Sequence, residues 1–344
     1  MRLCSLRMVG LSPFSDVTIP FAEEDGTARQ MTVLFGGGGV GKTTILAAIA
    51  GTRPGYAAAF PNAGEPVPFV VTDWSLGMDD TERPHALRVA TPTAKVEPDE
   101  HTEILRRREQ THFDRVAKDG GFVLVTIPST RWFSRQPMAI AAPSRTVARY
   151  DVRASASLDD AARADLARET KQSLAYAAIT AALSRDRGGA SFVRLGEAMA
   201  RTVDSLVSLA GFSYSGIDPV SFEPVFRADD GKPMLFDALP TRARHLVAFG
   251  ALPVRALWAA YPMRDPLEAE GVVTIDEIEL QQDGTVLSTV LGTLRALLPR
   301  VQWIVTTTSP TVAASVDNRE VLALRRLPRA TEVQLFTGAE ARVH

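Results

Sequence analysis

A glycine-rich stretch near the amino terminus has the residue types and spacing needed to bind phosphate. It reads Gly36-Gly37-Gly38-Gly39-Val40-Gly41-Lys42-Thr43. Glycines allow the backbone to curl so that its N–H groups point inward at phosphate oxygens, and the positive end of a following helix adds to the attraction. We expect Lys42 to reach the β- and γ-phosphates of a nucleotide and the Thr43 hydroxyl to ligate Mg²⁺. The alternative is a flexible glycine-rich turn without a ligand.

An acidic pair follows a second apolar segment and supplies complementary chemistry. Residues 272–275 are apolar or β-branched and lead directly into Asp276 and Glu277. Ligands of parallel sheets bind at the carboxyl ends of the strands, so we expect this pair beside the glycine-rich loop. Asp276 would hold Mg²⁺, directly or through water, and Glu277 would polarise the attacking water. Apolar strands also end in acids simply because the chain leaves the core there, so the catalytic interpretation depends on the combination with the loop.

The elements that must position these residues can be predicted from the hydrophobic pattern. A buried strand at 31–35 precedes the loop, and a helix over 43–50 follows it. The other predicted strands lie at 69–71, 122–127, 272–275 and 301–307, with strand-like segments near 217–236, and further helices lie near 241–260 and 285–298. Strands that alternate with helices favour a mainly parallel sheet.

The middle of the chain has a helical pattern. It extends over 158–183, breaks at 186–189 and resumes over about 191–210. We interpret this pair of helices as a helical lobe inserted into an α/β domain. The predicted division of the chain is therefore 1–150, 151–212 for the lobe, and 213–344.

Bulk composition argues against several classes of protein. The 344 residues are 45% hydrophobic and 23% charged, with a formal net charge of -2, whereas a dedicated nucleic-acid binder is usually strongly basic. The single cysteine, Cys4, excludes an internal disulfide. The first residues lack the apolar core of a signal peptide, and the longest apolar stretch, 246–261, is interrupted by Pro253 and Arg255. We therefore expect a cytoplasmic protein with no membrane insertion, in which 246–261 is a buried helix.

Four places in the chain resemble the ABC-type ATPase heads of the RecF, SMC and OLD group, a group of AAA-family ATP-binding proteins. Residues 3–19 look like the group's first antiparallel β-hairpin, and 36–43 match its Walker A loop. Residues 276–280 are similar to its Walker B motif and D-loop, although Gln282, Asp283 and Gly284 replace the usual Leu-His-Pro. Residues 303–310 look like its strand-end motif, in which Thr308 occupies the position of the switch histidine.

The signature motif of the resembling group is altered in this chain. Its best match is 239–245, where Pro240 and Arg242 depart from the usual Leu-Ser-x-Gly. Arg242 or Arg244 would either replace that motif as a cation on the γ-phosphate of ATP bound by an opposite subunit, or lie on the surface at the start of a helix. The departures at Arg242 and Thr308 put the rate of hydrolysis in doubt more than nucleotide binding.

The resemblance implies a set of functional residues, with ATP and Mg²⁺ as cofactors. The catalytic set is Lys42, Asp276 and Glu277, and the Mg²⁺ ligands are Thr43 and Asp276. The nucleotide-binding set is Gly37, Gly38, Gly39, Val40, Gly41, Lys42, Thr43, Thr44, Arg242 and Thr308. Phe14 is expected near the adenine.

The function that follows as an expectation is an ATP-binding and ATP-hydrolysing ABC-type ATPase. Mg-ATP would drive homodimerisation, and the dimer would switch a protein partner or a DNA-associated complex in DNA maintenance or defence. Direct contact with nucleic acid is compatible with the sequence. Two alternatives stay open, namely a nucleotide-dependent scaffold with little or no hydrolysis and a transporter-type ATPase subunit.

Overall fold

The computed structural model describes residues 1–54, 56–57, 67–75, 87–94, 122–135, 137–138, 140, 163–185, 189–327 and 332–342. The α-helices, in chain order, are α1 (Lys42–Gly51), α2 (Ala167–Ser184), α3 (Ala190–Val207), α4 (Thr241–Ala260), α5 (Gly284–Leu297) and α6 (Pro310–Ala314). The strands are β1 (Arg2–Leu11), β2 (Phe14–Pro20), β3 (Met31–Phe35), β4 (Thr52–Arg53), β5 (Tyr56–Ala57), β6 (Phe69–Ser75), β7 (Leu87–Ala90), β8 (Leu124–Ile127), β9 (Thr130–Trp132), β10 (Arg163–Asp165), β11 (Phe212–Ile217), β12 (Pro224–Ala228), β13 (Pro233–Leu235), β14 (Gly271–Ile275), β15 (Val301–Thr307), β16 (Val321–Arg326) and β17 (Val333–Thr337).

A six-stranded sheet forms the centre of the fold. Its strand order is β17-β16-β3-β15-β14-β8, and every neighbouring pair is parallel except β16 and β17. All residues of β3, β14 and β15 are buried, as expected for parallel strands covered on both faces. The predicted mainly parallel sheet is thus confirmed. The carboxyl ends of β3 and β14 meet at the same edge, where they are separated only by β15.

A four-stranded antiparallel sheet packs beside the central sheet. Its order is β2-β1-β6-β7, and β1 and β2 form the predicted hairpin, with Leu11 opposite Phe14 at the tip. The inward side chains of β1, including Leu3, Leu6 and Met8, share a hydrophobic core with α1. This packing holds the hairpin tip next to the start of α1.

Two helices of 18 residues each, α2 and α3, pack against each other and against α4. The buried face of α3 carries Leu195, Met199, Val203 and Leu206, at the spacing of an amphipathic helix. Their core is continuous with that of the central sheet. The division into three segments at 151 and 212 stays a prediction.

The start of α2 differs from the sequence expectation of a helix from 158. Residues 163–165 form β10, which pairs in parallel with β9, and residues 158–162 lie outside the described residues. The Asp165 carboxylate accepts a hydrogen bond from the Ala167 N–H (3.1 Å), one of the helix-start N–H groups that have no partner within the helix. The helical periodicity of the sequence therefore begins earlier in the chain than the helix itself. Strand pairing of residues 163–165 and the hydrogen bond to the Asp165 carboxylate set the start of α2.

Helix α4 is the buried helix that the sequence predicted at 246–261. It continues through Pro253, and nearly all its residues are buried. Within the described ranges, no helix combines the length and apolar character needed to cross a bilayer.

A buried ammonium group ties α2 to the chain that enters α4. Lys171, with 2% of its side chain exposed, lies 2.8 Å from Glu223 Oε1 and 3.0 Å from Asp237 Oδ2. Asp237 belongs to the short 3-10 turn (Phe236–Ala238) three residues before α4, and Glu223 immediately precedes β12. Because removing one partner of a buried ion pair leaves an uncompensated charge, this cluster fixes the approach of the chain to α4.

Candidate nucleotide-binding site

The glycine-rich loop connects β3 to α1 and has a backbone that requires glycine at two positions. Gly39 and Gly41 have φ values of 72° and 90°, a region that other residues rarely adopt. A Cβ atom added to Gly41 would lie 2.5 Å from Phe14 Cε2 and 2.7 Å from Pro13 Cδ. Gly41 therefore allows the hairpin tip to pack directly against the start of α1.

Lys42 is folded into this loop. Its Nζ donates hydrogen bonds to the carbonyl oxygens of Gly36 and Gly37, both at 2.7 Å, and the residue is 5% exposed. Burial lowers the pKa of the ammonium, and the carboxylates of Glu277, Glu279 and Asp276 oppose that shift. The ammonium is thus held by loop carbonyls that a phosphate oxygen could replace.

Asp276 lies immediately after β14 and is clasped by two hydroxyl groups. Its Oδ2 accepts a hydrogen bond from Thr43 Oγ1 (2.8 Å) and its Oδ1 accepts one from Thr306 Oγ1 (2.5 Å). Octahedral Mg²⁺ binds oxygens at 2.0–2.1 Å, so neighbouring ligand oxygens are about 2.9 Å apart. The separation of Thr43 Oγ1 and Asp276 Oδ2 therefore fits two adjacent positions on one Mg²⁺ ion. Among the described residues, no group of three or more His, Cys, Asp or Glu is placed to hold a metal.

Glu277 lies in the left-handed backbone region, with φ 47°. Its N–H donates to Thr306 Oγ1 at 2.7 Å, so Thr306 contacts both members of the acidic pair. Burial raises the pKa of the Glu277 carboxyl, and the negative charges of Asp276 and Glu279 raise it further. A carboxylate with a raised pKa is better suited to accept a proton.

Arg131 binds the backbone of the acidic pair, a role that the sequence did not indicate. Its guanidinium donates to the carbonyl oxygens of Pro128 (2.8 Å), Asp276 (2.6 Å) and Glu277 (2.9 Å). It is 8% exposed and lies over the Phe249 ring of α4. Burial lowers its pKa to about 10. These hydrogen bonds join the turn between β8 and β9 to the residues that follow β14. They form because β8 and β14 are neighbours in the sheet, which the sequence alone does not show.

These groups surround a pocket of about 300 Å³. Its lining contains seven of the predicted residues, namely Gly38, Gly39, Gly41, Lys42, Thr43, Thr44 and Glu277. It also contains Ser12, Pro13 and Arg326, which the sequence did not suggest. Phe14 is buried against Gly41, and its neighbours Ser12 and Pro13 line the pocket, so its predicted place near the adenine stays a prediction.

Three other predicted loop and acidic residues lie next to the pocket without lining it. The Gly37 carbonyl accepts a hydrogen bond from Lys42, and the Asp276 carboxylate accepts one from Thr43, which lines the pocket. The Val40 side chain is buried in the core beneath the loop, so any contact that it makes with a nucleotide would be through its backbone.

The structure does not bring Arg242 and Thr308 to this pocket. Arg242 is at the start of α4 and is paired with Asp283 (2.7 Å). The Thr308 N–H and hydroxyl both donate to Glu279 Oε1, at 2.6 and 2.8 Å. Both residues are at the surface of this single chain, so contact with a nucleotide held by another subunit stays a prediction.

Comparisons with known proteins identify the fold. No family model matches the chain. A solved Smc head domain bound to the C-winged helix domain of ScpA is similar to it, with a TM-score of 0.55, 13% identity and 100% coverage of both chains. A Pyrococcus furiosus Smc head domain with an extended coiled coil, bound to the C-terminal domain of ScpA, gives a TM-score of 0.52 and 15% identity over 98% of this chain and 96% of that one. The chain thus has the fold of an Smc head domain, in agreement with the head fold that the sequence predicted.

Proposed function

We propose that this protein is an ABC-type ATPase that binds Mg-ATP and hydrolyses it. The observation that carries the proposal is the 2.8 Å contact between Thr43 Oγ1 and Asp276 Oδ2. It joins the phosphate loop to the acidic pair at a separation that suits Mg²⁺. Glu277 lines the same pocket as Lys42, so the groups required for phosphoryl transfer to water are present together.

Each residue has a defined task in the proposed reaction. The loop amides and the Lys42 ammonium bind the β- and γ-phosphates. Thr43 and Asp276 would hold an Mg²⁺ ion, which would supply positive charge at those phosphates. Glu277 orients a water molecule and accepts its proton as the water oxygen forms a bond to the γ-phosphorus. The bond from the γ-phosphorus to the bridging oxygen breaks, which yields ADP and inorganic phosphate.

Nucleotide-dependent dimerisation completes the proposed switch. Arg242 and Asp283 form an exposed pair, with side chains 41% and 45% exposed, and exposed pairs contribute little stability. Arg242 can therefore exchange Asp283 for the γ-phosphate of ATP held by a second copy. We place the protein with the RecF and OLD type of ATPase, acting on a protein partner or a DNA-associated complex. The ScpA named in both similar structures shows that a head of this fold can carry a protein partner.

A specific contact favours a second candidate, a nucleotide-dependent scaffold with little hydrolysis. Thr308 occupies the position where the resembling group has a switch histidine, and both its polar groups are engaged by Glu279. A threonine in this position offers no titratable group to the γ-phosphate. Phosphate release by the wild-type protein over several hours separates the candidates, since a scaffold binds ATP without releasing phosphate.

The experiment that tests the proposal measures steady-state ATP turnover with and without Mg²⁺ and with and without double-stranded DNA. We expect Mg²⁺-dependent turnover that Lys42→Ala abolishes. The matched control is Lys232→Ala, which removes a lysine whose side chain is 81% exposed. A protein that neither binds ATP nor changes its assembly state with Mg-ATP would refute the proposal. Turnover that rises with DNA would identify the DNA-coupled form of the switch.

A further inference from the structure

Strand β16 brings an arginine to the mouth of the pocket. It lies parallel to β3, with Val33 opposite Val321 and Phe35 opposite Ala323. Because side chains alternate along a strand, Arg326 is on the same face as Leu322 and Leu324. Those two leucines pack in the core beneath α1 and the first hairpin. Arg326 is therefore directed to the side of the sheet where the loop and the hairpin tip lie.

Arg326 differs from its neighbour on the other face of the strand. Arg325 donates to the Ala341 carbonyl (2.7 Å) and packs on the Phe336 ring. Arg326 is exposed and lines the pocket with Ser12 and Pro13, and its guanidinium makes no hydrogen bond or ion pair with any residue in the described ranges. As far as those residues are concerned, the guanidinium donors are available at the edge of an anion-binding site.

The position of β16 in the sheet defines which end of the pocket Arg326 occupies. Asp276 and Glu277 follow β14, on one side of β3, whereas Arg326 ends β16, on the other side. Three strand spacings separate β14 from β16, which is about 14 Å. With the reacting phosphate on the side of Glu277, a nucleotide that passes through the loop must direct its nucleoside end towards Arg326.

We infer that Arg326 binds the nucleoside end of the nucleotide, its α-phosphate and base, against the surface formed by Ser12 and Pro13. This assignment rests on the proposed function. The guanidinium matches a phosphate through paired N–H donors and a base through its flat face. It would strengthen binding of ATP and ADP alike, because the two share this end.

Equilibrium binding of ATP, ADP and inorganic pyrophosphate to the wild-type protein and Arg326→Ala tests the assignment, because pyrophosphate lacks both the α-phosphate and the base. A charge-assisted hydrogen bond corresponds to about a tenfold change in affinity or more. We expect Arg326→Ala to weaken ATP and ADP by at least about that factor and to leave pyrophosphate within about twofold. The control is Arg201→Ala, which removes an exposed arginine from α3 and should change none of the three affinities.

The other outcomes are distinguishable from one another. Unchanged affinity for ATP and ADP in Arg326→Ala would overturn the assignment. Weakening of ATP alone would place Arg326 at the γ-phosphate and would also overturn it. Equal weakening of all three ligands would show a general attraction for anions instead of nucleoside recognition. Failure of the wild-type protein to bind any of them would refute the proposed function itself.

Discussion

The phosphate side of the pocket and the surface at the start of α4 are organised in opposite ways. On the phosphate side, hydrogen bonds of 2.5–2.8 Å link Asp276 to Thr43 and Thr306, and Lys42 donates to the loop carbonyls at 2.7 Å. Lys42, Asp276 and Thr306 are buried. At the start of α4, Arg242 and Asp283 form an ion pair that is about half exposed. The first region is complete within one chain, whereas the second directs its charges outward.

This difference indicates which functions a single chain can perform without a second copy. These groups already lie together in one chain and need only exchange hydrogen-bond partners when a phosphate arrives, so nucleotide binding should be a property of the monomer. Exposed charges lose little when they exchange partners, so the start of α4 suits a contact that forms and breaks. The predictions below test this contrast, beginning with the largest expected effect.

Replacing Glu277 with Gln should have the largest effect on turnover. The amide cannot accept a proton from the attacking water, and loss of a general base costs about 10²–10⁴-fold in rate. We expect kcat to fall by about 10³-fold while the affinity for ATP changes little, as measured by phosphate release and equilibrium binding. Gln at this position should also accumulate the Mg-ATP-bound dimer if hydrolysis resets the assembly.

The matched control for Glu277→Gln is Glu24→Gln, an exposed position in the loop after β2. It should retain full turnover. If Glu277→Gln hydrolysed ATP at the wild-type rate, Glu277 would not be the base. The assignment of hydrolysis to the phosphate side of the pocket would then be wrong.

Replacing Arg131 with Lys should lower kcat by about 10- to 100-fold, because small displacements of reacting groups have effects of that size. The guanidinium reaches the carbonyls of Pro128, Asp276 and Glu277 from two nitrogens held in one plane. Lysine carries all its donors on a single nitrogen and cannot reproduce that spacing. The affinity for ATP should stay within about threefold, since Arg131 does not line the pocket.

Arg135→Lys provides the control for Arg131→Lys, because Arg135 is an exposed arginine four residues further along. A parallel loss of kcat and ATP affinity in Arg131→Lys would show that Arg131 supports the whole site instead of orienting the acidic pair.

The sequence predicts the parts of the site that are contiguous in the chain. The glycine-rich loop and the Asp276–Glu277 pair each combine an apolar strand with adjacent polar residues, so local pattern identifies both. Their meeting followed from one general rule, that parallel strands present their carboxyl ends at a common edge. The hydrogen bond that Thr306 donates to Asp276 and the one that it accepts from the Glu277 N–H then require only that β15 lies between β3 and β14.

The residues that the sequence missed depend on strand order. Arg326 reaches the pocket because β16 pairs with β3, almost 290 residues earlier in the chain. Arg131 reaches Glu277 because β8 pairs with β14. Neither arginine has a local pattern that distinguishes it from the many surface arginines. The late start of α2 has a similar cause, since pairing of β10 with β9 overrides a local helical preference.

A buried histidine between the two regions should make stability depend on pH. His245 Nδ1 lies 3.2 Å from the Leu280 carbonyl, and its ring packs against Phe133 and Phe249. Burial and the positive charges of Arg131 and Arg244 together lower its pKa to about 4, against the opposing effect of the Leu280 carbonyl.

Because the folded pKa of His245 is below its unfolded value of about 6.5, the unfolded chain binds the extra proton first. The contribution of His245 to the free energy of unfolding is therefore fully present above about pH 6.5 and is lost as the pH falls towards 4. The contribution lost between pH 7.5 and pH 5 is about 2 kcal/mol. Urea unfolding at both pH values should show His245→Gln losing about that much less than the wild type. Equal losses would mean that His245 is solvated in the folded protein.

Replacing Arg242 with Ala should have the smallest effect on the isolated chain. Exposed ion pairs contribute 0–1 kcal/mol, so the free energy of unfolding should fall by less than about 1 kcal/mol, and ATP affinity at low protein concentration should not change. Dimerisation with Mg-ATP, measured by sedimentation, should nevertheless weaken, because the second chain loses its cation.

Asp283→Ala separates the two roles, since it removes the same ion pair but leaves Arg242 available for phosphate. If both variants dimerise like the wild type, the exposed charges at the start of α4 have no role in assembly. If Arg242→Ala alone destabilises the monomer by more than about 2 kcal/mol, that surface is as firmly organised as the phosphate side, and the contrast between the two regions fails.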